Sequence, residues 1–466
     1  SWYLMPEVFD HFFRLLGTTA DEQLELVQLD PGYRVFGEGY DAPIDVAADA
    51  DENIALFESV ERGAGAKLRQ YLDDAAEIYQ LAIQKFLYST FEKLSPVFTR
   101  DVIRKGGKLS SLLLTPLSRL TARTVKDRRL RQILGYPAVF LGSSPDRAPS
   151  LYSLMSHLDM VEGVLYPMGG FTRVISAIAS LAEAEGVELR SGVTVRQILV
   201  EHGAARGVEI VDGDGEISFV DADIVISTAD LHHSETVLLA DHADQTFPQR
   251  YWDARVAGPS ALLLYLGVSG ELPELEHHSL FFSSDWKRNF DAIFGRHPRV
   301  PDAPSLYVCK PSGVDPEVAP DGSENVFVLV PLPADPALGH GGVDRGGDDA
   351  IEALADSVIA QIASAAGIPD LADRITVRRT VGPADFVDHL NSWKGSALGP
   401  AHTLRQSAFF RAGNVSTKVK NLYFAGSSTI PGIGLPMCLI SAELVVKRLR
   451  GDISAAPLPE PLQASQ

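Results

Sequence analysis

The stretch 421–450 limits the possible folds of this chain more than any other, because it orders a short apolar strand, a glycine-rich crossing and a helix. Residues 422–425 are apolar. Gly426, Pro431, Gly432 and Gly434 then allow backbone conformations and close approaches that side chains forbid. From Met437 to Leu449 apolar residues recur at helical spacing, with Lys447 and Arg448 near the end. A helix that starts beside the glycines points the positive end of its dipole at them, so a flat or negatively charged group is a suitable occupant.

A chain of 466 residues with 45% hydrophobic and 22% charged residues is long enough for two domains, each with its own core. Its 41 Lys plus Arg against 61 Asp plus Glu give a net charge of -20, which repels phosphate backbones and argues against nucleic acid as a partner. No apolar run approaches the ~18 residues that span a bilayer. The longest runs, 261–268 and 326–332, read as buried strands. Cys309 and Cys438 stand far apart in apolar surroundings and read as reduced core residues. His232 with His233 and His277 with His278 are sequence neighbours, which on a strand point to opposite faces; they read as surface or loop histidines, with no metal-ligand spacing.

Along the chain, residues 7–28 read as a helix, with strands at 28–36 and 43–48. Residues 52–134 read as mostly helical, and Gly63-Ala-Gly65 there as a turn or helix start. Gly169-Gly170 leads into an amphipathic helix ended by Gly186, followed by strands at 187–189 and 192–198 and a hairpin around residues 212–215. Residues 222–230 form a further apolar strand. Strands are expected at 261–267, 278–282, 305–309, 325–332 and 375–380, a disordered glycine-rich loop at 339–349, a helix at 349–366 and a frayed tail from 455 onward.

On Asn421, Tyr423, Gly426, Thr429, Pro431, Gly432, Gly434 and Ser441 the chain resembles the bacterial and fungal type phytoene desaturases, a family of FAD-dependent carotenoid oxidoreductases. Ser427, Ile430 and Ile433 depart from the family pattern. The resemblance extends from Ser1-Trp-Tyr-Leu-Met-Pro6 through Tyr307-Val-Cys-Lys310 to Arg448. It implies an α/β fold: an FAD-binding, Rossmann-like domain of the two-dinucleotide-binding type (1–50, 160–235 and 415–450), a helical, membrane-facing part (51–159), a mixed-sheet substrate domain (236–414) and a flexible tail (451–466). It also implies that the fingerprint G-x-G-x-x-G, which precedes such a start in the family, lies several tens of residues upstream and is absent from this chain. FAD is the implied cofactor. Gly426, Ser427, Thr429, Pro431, Gly432, Gly434 and Met437 would wall its isoalloxazine ring, Val195 would meet adenine and Ala229 would pack near the pyrophosphate.

Side chains cannot accept a hydride, so desaturating a hydrocarbon needs such a cofactor. The activity implied is conversion of phytoene towards lycopene by successive hydride transfers, with oxygen or a quinone as final acceptor. The implied setting is cytoplasmic, on a membrane surface that Leu112, Leu113 and Leu114 with Arg104, Lys105, Lys108, Arg119 and Arg123 would meet. Two alternatives stay open: a related polyene enzyme (a diapocarotenoid or neurosporene desaturase, an isomerase or a saturase) and a catalytically silent lipid-binding relative. Trp393, Phe409 and Phe410 are candidates to stack on a polyene. His402 and Asp385 are the nearest titratable groups, and no catalytic residue is assigned. No Ser-His-Asp, Cys-His or paired-carboxylate arrangement is legible.

Overall fold

The computed structural model describes residues 2–93, 106–140 and 142–463. Its largest element is a seven-stranded mixed sheet in the order β13-β9-β12-β11-β10-β2-β3. In chain order the strands are β1 (Leu26–Leu29), β2 (Tyr33–Gly37), β3 (Ile44–Val46), β4 (Val164–Pro167), β5 (Thr194–Glu201), β6 (Ala204–Val211) and β7 (Ile217–Asp221). They continue with β8 (Val225–Ser227), β9 (Ser260–Ser269), β10 (His278–Phe282), β11 (Leu306–Cys309), β12 (Ser323–Leu332), β13 (Ile375–Val381) and β14 (Leu422–Phe424).

Period-two alternation gives this sheet two apolar faces. Leu262, Leu264, Leu266, Val326, Val328 and Val330 pack under the Asp349–Ala366 helix with Ile351, Ala355, Val358 and Ile359. The opposite parity, Tyr33, Val35, Leu280, Phe282, Tyr307 and Cys309, meets Phe57, Leu68 and Leu72 of the Ala50–Val60 and Ala64–Ala82 helices. Gly63 is the N-cap of the second of these helices, at φ 83°.

The strands expected between 261 and 380 are all present in this sheet; the first fifty residues differ from expectation. The helix at the start runs only over Pro6–Leu15, because Gly17 at φ 79° turns the chain, and β1 and β2 replace the single strand at 28–36. β2 pairs in parallel with β10 and β3 extends from it, so residues 33–46 complete the large sheet and do not join the small parallel one. That divides the expected unit 1–50: its helix packs on the last helix, β1 pairs with β4, and only β2 and β3 belong with residues 260–381.

Two other expectations are corrected by long-range bonds. The glycine-rich segment 339–349 is held down: Gly341 donates to Asp385 Oδ2 at 2.7 Å and Gly342 to Thr380 Oγ1 at 2.9 Å. The described tail is also docked, with Leu458 buried and donating its N–H to Glu443, and Leu462 donating to the Leu15 carbonyl at 2.9 Å. Residues 187–189 form no strand, and Val187 and Leu189 are exposed.

The small parallel sheet pairs β14 with β8, and a three-stranded antiparallel sheet β5-β6-β7 lies beside it in sequence. The Leu435–Arg450 helix follows β14 and packs against the Pro6–Leu15 helix through Ile440, Leu444, Leu4, Met5 and Val8. Lys447 in that helix is fully buried. Its ammonium donates to the carbonyls of Tyr88, Ser454 and Ala456 at 2.8, 2.8 and 2.6 Å, so one cation ties the helical region, the last helix and the tail together. Replacing Lys447 by Met removes that donor and leaves three carbonyls unpaired at about 1–3 kcal/mol each. A lowered denaturation midpoint and protease cleavage between 452 and 463 are expected; unchanged protection of the tail would contradict this role.

Candidate functional site

Phe424 of β14 is in register with Ser227 of β8, so the parallel pair carries Gly426 and Ala229 past the same, carboxyl end of the sheet. Carboxyl ends of parallel strands are where open α/β sheets take ligands. Gly426 has φ 109°, a conformation that favours glycine, and a side chain there would come within 3.8 Å of the Thr228 carbonyl. The crossing then reaches Gly434, at φ 117°, which caps the helix with no side-chain hydrogen bond and no acidic residue in the first turn. Pro436 has no N–H and Cys438 donates to the Gly434 carbonyl, so the Leu435 and Met437 N–H groups are left for an outside acceptor, in the positive field of a sixteen-residue helix.

Four buried polar residues, Asn414, Thr429, Ser441 and Arg411, fix the crossing from behind. Asn414 Nδ2 shares its two hydrogens among the Phe424 and Ile430 carbonyls, at 3.1 and 3.3 Å, and Thr429 Oγ1 and Ser441 Oγ, at 3.1 and 3.0 Å. Thr429 Oγ1 itself donates to the Gly426 carbonyl at 3.0 Å, and the Gly426 N–H donates to Ser441 Oγ at 3.0 Å. The Thr429 hydroxyl therefore points into the protein and positions the loop. Arg411 is buried and donates to the carbonyls of Thr429 (3.0 Å), Pro400 (3.2 Å), Gln406 (3.3 Å) and Ser427 (2.5 Å). Among the described residues no carboxylate pairs with it, and burial pulls its guanidinium down to about 10. Sequence spacing gives no sign of Asn414 or of this use of Arg411; both lie in irregular chain where no periodicity marks an inward side.

The expected site residues separate into groups. Gly434 is exposed at the helix start and Ser427, Pro431 and Met437 are half-buried along the crossing. Gly432, at φ 146°, is buried, and the space its side chain would occupy is filled by the His402 ring. Ala229 is exposed past β8, and Val195 is partly exposed in β5 opposite Ile210. Trp393 is buried against Trp252, with ring centroids 5.1 Å apart, in the core beneath β8 and β14, while Phe409 and Phe410 are exposed. Asp385 caps Gly382 and Gly341 and is structural.

A second polar cluster lies under Trp2, whose ring stacks on His278 at 4.5 Å and tilts over Tyr33 at 5.2 Å. Trp2 also packs into the core that holds Tyr166, Met168, Ile430 and Met437, which joins this cluster to the glycine crossing. Asp159 is buried there and accepts from Tyr33 at 3.2 Å and from Tyr136. Burial pushes its carboxyl up to about 7, with the two phenols opposing the rise. His277 and His278, expected at the surface, are buried instead; His277 precedes β10, so strand alternation does not separate the two rings, which are 4.6 Å apart.

Residues 28–450 match the flavin containing amine oxidoreductase family. The chain is 40% identical over 454 residues to a carotenoid 3,4-desaturase of Haloarcula japonica, covering 97% of this chain and 88% of the relative. The chain belongs to the phytoene desaturase family of FAD-dependent oxidoreductases. Other members it resembles are a phytoene desaturase of Fusarium fujikuroi, 31% identical (97% of this chain, 80% of the relative), and a zeta-carotene-forming phytoene desaturase of Myxococcus xanthus, 33% identical (96% and 83%). In fold it matches an oxidoreductase from Methanosarcina mazei (TM-score 0.51, 16% identity, 91% of this chain and 82% of that one) and cyclohexylamine oxidase from Brevibacterium oxydans (TM-score 0.51, 11% identity, 97% and 87%). FAD is the cofactor of this family member, and the crossing suits it: a glycine-opened backbone, an uncapped helix start and a buried cation behind them all favour a flat group with electron-rich oxygens.

Replacing Gly432 by Val forces the added side chain into the His402 ring, and should cut FAD occupancy of the purified protein at least about tenfold, the ~1.4 kcal/mol that a modest displacement of the crossing costs. Adding His402→Ala should restore part of it; equal loss in the single and double variants would show that His402 is not the obstacle. For Asp159 the carboxyl is raised above its unfolded value of 3.8, so its contribution is present below about 3.8 and is lost as pH rises through about 7. Denaturation midpoints should fall between pH 5 and 7 in the parent and less steeply in Asp159→Asn.

Proposed function

We propose that this enzyme desaturates an acyclic carotenoid, with phytoene carried towards lycopene as the reaction to test first. The support is the 40% identity over 97% of the chain to a carotenoid desaturase, combined with a crossing whose Asn414, Thr429 and Ser441 side chains are turned inward. A second reading has a specific observation in its favour: identity to the 3,4-desaturase exceeds the 31–33% to the phytoene desaturases, which points to introduction of a double bond near the chain end of a longer polyene.

When bound, FAD supplies the hydride acceptor that no side chain can provide. The wall is assigned to Gly426, Ser427, Thr429, Pro431, Gly432, Gly434 and Met437, with Val195 and Ala229 towards the adenosine half. The Leu435 and Met437 N–H groups at the start of the Leu435–Arg450 helix would offer FAD donors, while Arg411 holds the carbonyls of Ser427 and Thr429 in bonds of its own. Trp2, Tyr166, Met168, Ile430 and Met437 exclude water and give the polyene an apolar surface to lie along. Residues 51–159 form the lipid-facing part in this reading. Leu113 and Leu114 are exposed on the Gly106–Leu114 helix, with exposed Arg119 and Arg123 nearby in sequence, a combination that suits an anionic lipid surface. Arg104 and Lys105 lie outside the described residues, as does the side chain of Lys108. No helix among the described residues is long and apolar enough to cross a membrane. Oxygen or a quinone takes the electrons on.

The test is product analysis. Protein expressed from its own gene and loaded with FAD is mixed with liposomes carrying phytoene, or in parallel a longer acyclic polyene, and the extracts are separated and their absorption recorded. A red-shifted product from phytoene supports the first reading, one only from the longer polyene supports the second, and unchanged substrates from fully FAD-loaded protein would remove both. Arg411→Met should lower FAD occupancy about tenfold or more, since four carbonyls lose a charged donor whose bonds are worth about 1.5–3 kcal/mol each.

A further inference from the structure

β10 and β11 are antiparallel, and their register sets His278 directly opposite Cys309. Even and odd positions alternate along each strand, so His278 and Cys309 share the face that also carries Leu280, Phe282 and Tyr307. His277 stands one residue before the strand, at a bend, with its carbonyl accepting from the Lys310 N–H at 2.8 Å. Its ring turns edge-on to His278 and to Tyr166, with centroids 4.6 and 4.5 Å away. The result is a group of two imidazoles and a thiol whose ligand atoms all lie within 4.8 Å of one another. It is the one such trio of His, Cys, Asp or Glu among the described residues.

All three residues are buried, His277 to 4% exposure, His278 to 0% and Cys309 to 4%. Yet both ring nitrogens of His277 and Nε2 of His278 have no hydrogen-bond partner. A buried polar atom without a partner costs about 1–3 kcal/mol, and three in one place call for an occupant. The hydrogen bonds that do exist fit a metal. His278 Nδ1 lies 2.9 Å from the Tyr307 hydroxyl. With Nδ1–H donating to the Tyr307 hydroxyl, the Nε2 lone pair of His278 is left free towards the trio, which is how a second group sets the tautomer of a metal-bound histidine.

We propose that His277, His278 and Cys309 form a buried site for a thiophilic divalent cation of the zinc class. Zinc bonds of ~2.0–2.3 Å place tetrahedral ligand atoms roughly 3.4–3.7 Å apart, so the trio closes on the ion by side-chain rotations of about 1 Å. Binding takes the proton from the Cys309 thiol to solvent and leaves a net charge of +1 on ion, thiolate and two neutral rings. Lys310 and Asp315 both face His277, with opposite signs. Asp315 is anchored by the Tyr166 hydroxyl at 3.0 Å and by the Gly169 N–H at 2.6 Å, which puts a compensating carboxylate at the edge of the site. The role that follows is structural. The ion pins the segment before β10 to β11 under Trp2 and Tyr166, the side chains that reach the glycine crossing.

The experiment measures the zinc content of the FAD-loaded protein purified from zinc-supplemented medium, and in parallel the spectrum of protein produced in cobalt-supplemented medium. The expected result is about one ion per chain, with a thiolate-to-cobalt charge-transfer band. Cys309→Ser should abolish that band and lower the metal content at least about fivefold, and His277→Leu should lower the content likewise. Less than about a tenth of an ion per chain in the parent protein would overturn the proposal whatever the variants do. So would a cobalt band that survives in Cys309→Ser. Since FAD occupancy is read on the same samples from its own absorption, loss of metal with full flavin is distinguishable from a failure of the flavin assignment.

Discussion

Arg411 carries the constraint on which the glycine crossing depends. A buried guanidinium without a carboxylate partner is costly unless its donors are satisfied, and here they are met by backbone carbonyls from three separate stretches, at Pro400, at Gln406 and at Ser427 with Thr429. Carbonyls cannot be titrated away or rotated out of reach without moving the chain. The arrangement therefore fixes backbone and not side chains, and Asn414 does the same from the other side through Phe424 and Ile430. A loop rich in glycine, which by itself has many conformations, becomes one defined surface.

Much of the large sheet was legible because each of its strands is buried on both faces or alternates cleanly, so β9, β10, β12 and β13 are visible to local pattern. What local pattern could not show is which strands pair. β2 is short and apolar, and nothing within residues 33–37 says that its partner is β10 and not the nearby β1. The glycine-rich segment 339–349 and the tail mislead for the opposite reason: their composition favours disorder, but Asp385, Thr380, Glu443 and Lys447 supply bonds from far away in sequence.

The candidate site shows the same division. The strand, crossing and helix over residues 421–450 follow from glycine spacing alone, and the structure has them. Which way each glycine faces does not follow from spacing. Gly434 is open, whereas Gly432 is a glycine because His402 fills the space beside it, so the same residue type serves a free surface in one place and internal packing two residues earlier. His277 and His278 make the parallel point. Adjacent residues are separated by a strand only when both are in it, and the first of the pair stands outside β10.

Positive potential converges on the crossing from two independent sources. The Leu435–Arg450 helix contributes roughly half a charge at its uncapped start, and Arg411 contributes a full one from beneath. Arg411 acts from buried, weakly screened surroundings, whereas the helix start is exposed and its field is more strongly screened. A flavin held there, as proposed, would be easier to reduce, because the added electrons would enter a field that stabilises negative charge. An oxidation that withdraws hydride from an unactivated hydrocarbon needs a strong acceptor more than it needs a protein acid or base. That accounts for a wall that offers donors and dipoles while its own hydroxyl and amide side chains, Thr429, Ser441 and Asn414, are turned inward.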